Sequence, residues 1–318
     1  MLVPNLKVTI AGIEMKNPLT VGSGTYGHHG NFSQFFPVEI MGVLVPKTIR
    51  TYRWPGNPAP RTLETPAGLH TSVGIPCNSW DYFVEHDVPI LRSLKLPIIQ
   101  SVIGRTEDEY VDIVERCSDL RVFAGIELNL SCPNLKQGGL DFGYDPEASY
   151  RVVKRARAKS TVPIVAKLAP DYSSLTRVAK SVEAAGADAI SMINAPRAMC
   201  IDHRTGKPII GNQIGSLSGP AIKSLAVYMI WEVYRAVKIP IFGMGGVANF
   251  KDVIEFMAAG ARAVAFGTIN YVDPLALPCA LAELVAYLEE NKISDVNDLV
   301  GIAHADKRAE MRLPEKVA

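Results

Sequence analysis

Residues able to do chemistry sit where short apolar runs stop. In "ELNLSCPN" (127–134) an alternating apolar and polar run ends at Cys132, with Asn129 and Asn134 on either side. Asparagine amides both donate and accept hydrogen bonds, so such a pair can fix a planar polar ring. A thiol beside that ring can exchange a proton as a base or attack as a nucleophile, whereas an isolated buried cysteine ordinarily packs as a small hydrophobe. None of the six histidines (28, 29, 70, 86, 203 and 304) lies in a recognisable strand-end motif. Proton transfer is therefore favoured over a protease-like Cys–His pair.

Lysines end two other apolar runs: Lys47, followed by Thr48, in "VPKT", and Lys167 in "VAKLAP". An ammonium is costly to bury unpaired. Two of them aimed at one cavity suit an anionic ligand, or the N1/O2 edge of a reduced flavin. Glycines end two more runs, "FGMGG" (242–246) and "FGT" (266–268). Bare backbone N–H groups there make a phosphate cradle, helped by a helix N-terminus; the competing reading is that the glycines only permit tight turns. "GSGTYG" (22–27) matches the G-x-G-x-x-G dinucleotide pattern, but the "HHGNFSQFF" that follows is a poor start to a packed helix. A turn near a ligand is the better expectation.

These residues need a scaffold that brings strand ends together. Short β-rich runs recur at 19–24, 42–47, 98–102, 125–131, 163–168, 189–194, 240–245 and 263–268. Amphipathic patterns such as 173–187 and 250–261 separate the later ones. Alternating strands and helices imply parallel strands with crossover helices. The expectation is an α/β fold, a (β/α)8 TIM barrel over 1–318 as a single domain, with a doubly wound open sheet as the alternative. The barrel is favoured because the polar residues gather at strand C-terminal ends, where barrel enzymes build their sites. Two Gly- and Pro-rich stretches, 48–90 and 195–222, are too long for ordinary connections and are expected as active-site loops over the C-terminal mouth.

Composition narrows the partners. The chain has 318 residues, 48% of them hydrophobic, and a formal net charge of +1, which gives no reason to expect nucleic acid or an anionic membrane. No run approaches the roughly 20 apolar residues of a membrane span, and no signal peptide is visible. Five scattered cysteines without a CxxC argue for free thiols in the cytoplasm. They also argue against a metal or iron–sulfur site built by this chain alone.

Together these motifs resemble the dihydroorotate dehydrogenase family, specifically class 1 and most closely its class 1B catalytic subunit. "GSGTYG", "PKT", "GNPAPR" with Glu64, "NLSCPN", "VAKLAP", "SMIN", "LSGPAIK", "GMGG" and "FGT" occur in family order along nearly the whole chain. The resemblance implies an FMN-dependent barrel that oxidises dihydroorotate to orotate in pyrimidine biosynthesis, with Cys132 and Lys47 as catalytic residues. Cys132 would be the base that removes a proton from the carbon next to a carbonyl. FMN contacts carried over by position are Ser23, Lys47, Thr48, Asn129, Lys167, Ile193, Gly219, Gly245, Gly246, Gly267 and Thr268. The substrate would meet Lys47, the loop Thr71, Ser72, Val73, Gly74 and Ile75, and Asn129, Asn134, Asn194 and Ala195. The resemblance also implies a homodimer and, in class 1B, a separate electron-transfer subunit carrying FAD and an iron–sulfur cluster.

The chain departs from the family pattern at several of these positions. "TSVGI" stands for N-A-I-G-L, so Thr71 replaces an orotate-binding asparagine; Ala195 replaces a threonine or serine. Ser101 replaces a flavin-contacting asparagine, and Pro76, Cys77, Asn78 and Ser79 replace Q-N-P-G. Each unmade hydrogen bond to a buried polar ligand atom costs about 1–3 kcal/mol. The alternatives are thus a paralogue using another dihydropyrimidine, cyclic amide or enoate, and a non-redox phosphate-binding aldolase or isomerase.

Overall fold

The computed structural model describes residues 3–27, 33–130 and 142–304. A hairpin of β1 (Val8–Ile10) and β2 (Ile13–Met15) comes first, its buried apolar residues alternating with exposed ones. Ile13 Cδ1 lies 2.9 Å from where a side chain on Gly125 would begin, so the hairpin covers the N-terminal end of a later strand. The remaining strands in chain order are β3 (Leu19–Val21), β4 (Thr62–Thr65), β5 (Gly68–Thr71), β6 (Ile99–Val102), β7 (Gly125–Asn129), β8 (Ile164–Lys167) and β9 (Ala189–Met192). Then follow β10 (Arg197–Ala198), β11 (Ile201–Asp202), β12 (Lys207–Pro208), β13 (Gly215–Ser218), β14 (Ile241–Met244) and β15 (Ala263–Phe266).

Seven parallel strands form one sheet in the order β3-β15-β14-β9-β8-β7-β6. Their residues are buried almost throughout, as expected of a parallel sheet covered on both faces. The segment 42–49 closes the sheet on itself. On one side Gly42 N donates to Leu19 O at 2.9 Å and Thr20 Oγ1 to Val43 O at 2.7 Å. On the other, Leu44 N donates to Pro97 O, Ile99 N to Leu44 O and Ile49 N to Ser101 O. The ring is therefore an eight-membered barrel whose second member is irregular. Pro46 explains part of that, since it has no N–H to contribute to a ladder.

Crossover helices follow from caps and charge placement. Glu107–Asp119 starts at Thr106, whose Oγ1 accepts from Glu109 N, and carries three acidic residues in its first turn. Pro146–Lys159 starts with proline at its first turn and ends with Arg157 and Lys159. The patterns at 173–187 and 250–261 fold as Leu175–Ala184 and Phe250–Ala259.

The long stretches 48–90 and 195–222 are not plain loops. β4 and β5 form a hairpin, β13 pairs with β5, and β10 pairs with β13, giving a four-stranded antiparallel sheet. No helix among the described residues is long and apolar enough to cross a membrane.

Candidate active site

Parallel register places the chemistry at one level. Asn129, the last residue of β7, pairs with Lys167, the last of β8, and Lys167 pairs with Ser191 of β9. These strand ends open into a cavity of about 1130 Å³, also walled by the β4–β5 hairpin and β13. That exceeds the roughly 300–1,000 Å³ of ordinary small-molecule sites, leaving room for a cofactor and a substrate together.

One wall is a cradle of bare amides. The N–H groups of Gly245, Gly246, Gly267 and Thr268 find no acceptor among the described residues, and all four residues line the cavity. Gly246 has φ +83°, and a Cβ there would sit 2.8 Å from Gly219 O and 2.9 Å from Lys223 N. That close approach sets the turn after β14 against the N-terminus of helix Lys223–Ala236, adding the positive end of a helix dipole. At Gly267, by contrast, a Cβ would meet no atom within 4 Å. The space beside it is open, which is what a phosphate group requires. Asp252 fixes the cradle from behind: its carboxylate accepts from Ala248 N and from Lys223 Nζ, each at 2.8 Å. Thr268 Oγ1 donates to Ser218 Oγ at 2.8 Å.

The facing wall is cationic. Lys167 is buried; its Nζ donates to Ser23 Oγ at 3.3 Å and stands 3.9 Å from Glu127 Oε1. Glu127 is itself buried, and its Oε2 accepts from Ser191 Oγ at 2.8 Å. The acid thus balances the buried ammonium from 3.9 Å, and Lys167 lines the cavity. Lys47 also lines the cavity. Burial pushes its ammonium below the usual lysine range, with Arg61 acting in the same direction and the Cys77 thiol and Asp87 opposing. Next to it, Thr48 Oγ1 and Ser101 Oγ lie 2.9 Å apart, and Gln100 Nε2 donates to the carbonyls of Lys47 and Ser101.

The third wall is polar and shaped for a ring. Asn194 Nδ2 donates to Asn129 Oδ1 at 3.3 Å, and Asn194 Oδ1 accepts from Ala195 N. Thr71 ends β5 opposite Ser216 of β13. Ser72 Oγ accepts from Asn57 Nδ2 at 2.8 Å and from Asn212 Nδ2 at 3.1 Å, which pins the following loop Val73, Gly74 and Ile75 against the cavity.

The structure brings Ser23, Lys47, Thr48, Asn129, Lys167, Ile193, Gly219, the cradle, residues 71–75, Asn194 and Ala195 to this single cavity. Cys132 and Asn134 lie outside the described residues. Sequence reading missed Glu127, Ser191, Ser216 and Ser218. Glu127 had a visible signal, a carboxylate inside the apolar run "GIELN"; the serines had none. "GSGTYG" forms a turn after β3, with Thr25 N donating to Gly22 O at 3.0 Å.

A closed parallel barrel whose last two strands end in bare amides, with buried Lys167 and half-buried Lys47 lining the same cavity, has the architecture of a ligand-binding (β/α)8 barrel. Comparison with known proteins is more specific. The family model described as dihydroorotate dehydrogenase matches residues 5–288, and the chain belongs to that family. It is 41% identical over 298 residues to "Dihydroorotate dehydrogenase B (NAD(+)), catalytic subunit" of Geotalea uraniireducens, covering 94% of this chain and 98% of that protein. Proteins with the same description from Geobacter sulfurreducens, 42% identical over 298 residues, and Desulforamulus reducens, 41% over 300, cover 94% of this chain and 98% and 99% of their own lengths.

Proposed function

We propose that this chain is an FMN-dependent oxidoreductase that oxidises dihydroorotate to orotate, a step of pyrimidine biosynthesis, with residues 1–318 as one FMN-binding barrel domain. The observation that carries the reading is the cradle of four backbone N–H groups without an acceptor among the described residues, lining the same cavity as Lys167, a cavity large enough for two ligands. FMN fits the residues present: Gly245, Gly246, Gly267 and Thr268 would hold its phosphate. Ser23, Thr48, Asn129, Lys167, Ile193 and Gly219 would hold the remainder. Bound there, the flavin supplies a hydride acceptor at N5.

The chain's own residues do the rest. Cys132, as a thiolate, takes the proton from the substrate carbon beside a ring carbonyl, while the neighbouring carbon gives up hydride. Lys47 offers its ammonium to the substrate carboxylate, and Asn129, Asn134 and Asn194 orient the ring amides. Residues 71–75 and Ala195 close the polar wall and limit access of water. Lys167 supplies positive charge where electron density accumulates, and Glu127 keeps it in place.

The names of the relatives support a catalytic subunit that hands electrons onward to a second subunit. We place this chain as the core of a cytoplasmic homodimer, with FAD and an iron–sulfur cluster on that separate subunit. The experiment is Cys132→Ser: flavin content should be unchanged while flavin reduction by dihydroorotate slows, and an unchanged rate would put the base elsewhere. A second reading, a paralogue acting on another dihydropyrimidine, cyclic amide or enoate, draws on Thr71 and Ala195, which both line the cavity. Thr71 lacks the amide of the asparagine it replaces, and Ala195 lacks the hydroxyl of the threonine or serine it replaces. Comparing such rings for anaerobic flavin reduction or reoxidation separates the two.

A further inference from the structure

A second cavity of about 430 Å³ adjoins the first and shares Gly27, Lys47 and Pro76 with it. Arg50 decides its chemistry. The residue is only 3% exposed, yet it lines the cavity. Its Nη1 donates to Tyr52 Oη at 3.0 Å, while its Nε is buried with no acceptor among the described residues. Its guanidinium carbon stands 5.8 Å from the Tyr52 ring centre and 5.5 Å from that of Trp54. Ring faces help a cation but do not satisfy N–H donors.

A guanidinium cannot shed its proton to escape burial, as a lysine can. A buried charge without a hydrogen-bonded counter-charge is strongly unfavourable. One carboxylate, Asp87, lines the cavity among the described residues, and its field acts on Lys47. Three cations, Lys47, Arg50 and Arg53, the last exposed at the rim, thus outnumber that one carboxylate. The remaining walls combine apolar Ile49, Trp54 and Phe83 with the polar groups of Cys77, Asn78 and Tyr82.

The cavity is also where this chain departs from its family. Pro76, Cys77 and Asn78, which stand in place of Q-N-P, all line it.

We propose that this second cavity is an anion subsite that takes the carboxylate of a small organic acid with a compact apolar body, with Arg50 as its buried anchor and Arg53 at its rim. The inference is independent of the flavin reading, because none of its evidence comes from the amide cradle. A carboxylate would accept from the unsatisfied Arg50 Nε–H, and the apolar body would pack on the Trp54 side of the cavity. The volume lies within the range of about 300–1,000 Å³ that small ligands occupy.

The test uses the protein as purified and sodium benzoate as the probe, with inorganic phosphate and sodium chloride as comparison salts. Cys77, half-buried in the same cavity, is the reporter. Benzoate should slow N-ethylmaleimide modification of Cys77, read by peptide mass spectrometry, and should bind calorimetrically at one site per chain. Arg50→Gln should weaken both by about tenfold or more, the loss of one charge-assisted anchor. Arg53→Gln, at an exposed position, should weaken them by a smaller factor without affecting folding. The visible spectrum of any bound flavin should not change in either variant. Undiminished benzoate binding in a folded Arg50→Gln protein would overturn the proposal. So would unprotected Cys77 in the wild-type chain at saturating benzoate, a result that stands even if Arg50→Gln does not fold. Protection by phosphate but not by benzoate would overturn the organic-acid assignment, and benzoate displaced by dihydroorotate with no dependence on Arg50 would place it in the main cavity.

Discussion

Substituting Gly267 separates ligand binding from folding. Its φ is not in the left-handed region, and a Cβ added there would meet nothing within 4 Å, so alanine fits the protein without strain. Folding of the ligand-free chain should be unchanged, or stabilised by the ~0.4–1 kcal/mol that alanine gains by restricting the unfolded chain. The methyl group, however, enters the space assigned to the FMN phosphate. Losing one charge-assisted N–H bond costs about 1.5–3 kcal/mol, and each 1.4 kcal/mol is about tenfold in affinity. Gly267→Ala should therefore bind FMN about 10- to 100-fold more weakly. Gly246→Ala is the contrast: a Cβ 2.8 Å from Gly219 O, on a backbone with φ +83°, costs the fold about 1–3 kcal/mol. Flavin-fluorescence titration of the apoprotein gives the affinity, and thermal unfolding of the same samples gives the stability. If Gly267→Ala binds FMN like the wild type, the phosphate does not rest on that amide; if it destabilises the apoprotein, the space is not open.

Three further outcomes follow from the site's electrostatics. Lys167→Met leaves Glu127 buried without its cation and should lower the melting temperature, whereas Lys167→Met with Glu127→Gln should recover stability but not flavin reduction; equal melting temperatures for the two would show that the 3.9 Å pair carries no weight. The substrate carboxylate needs Lys47 charged, and burial has lowered the pKa of Lys47, so affinity for dihydroorotate should fall as pH rises through that lowered value. Lys47→Arg, charged at all accessible pH, should remove that limb of the KM profile; a limb that persists assigns it to another group. Asp252→Asn weakens the tie between Lys223, Ala248 and the turn after β14, so FMN affinity should drop several-fold alongside a loss of about 1–3 kcal/mol in stability. A drop in stability with FMN affinity intact would confine Asp252 to a folding role.

What the sequence made legible depended on range. The eight apolar runs all became barrel members because each is a local signal, several buried residues bounded by turn residues. The polar residues at their ends were readable for the same reason, since parallel register carries Asn129 and Lys167 to one level without further information. The cap over the barrel was not readable. β5 and β13 pair through Leu69 with Ser218 and Thr71 with Ser216, strands of four residues separated by more than a third of the chain. No local pattern encodes such a partner. Segment 42–49 reads as a strand but joins β6 through isolated bridges and β3 through single hydrogen bonds, because proline interrupts it. Glu127 was overlooked because an acid in an apolar strand makes sense only beside Lys167, and that adjacency is tertiary.

The central claim is tested most directly by the visible spectrum of the FMN-loaded protein under anaerobic conditions as dihydroorotate is added. The flavin absorbance should bleach, and Cys132→Ser should slow the bleaching. A spectrum that dihydroorotate leaves unchanged, in a protein whose flavin dithionite still reduces, would contradict it.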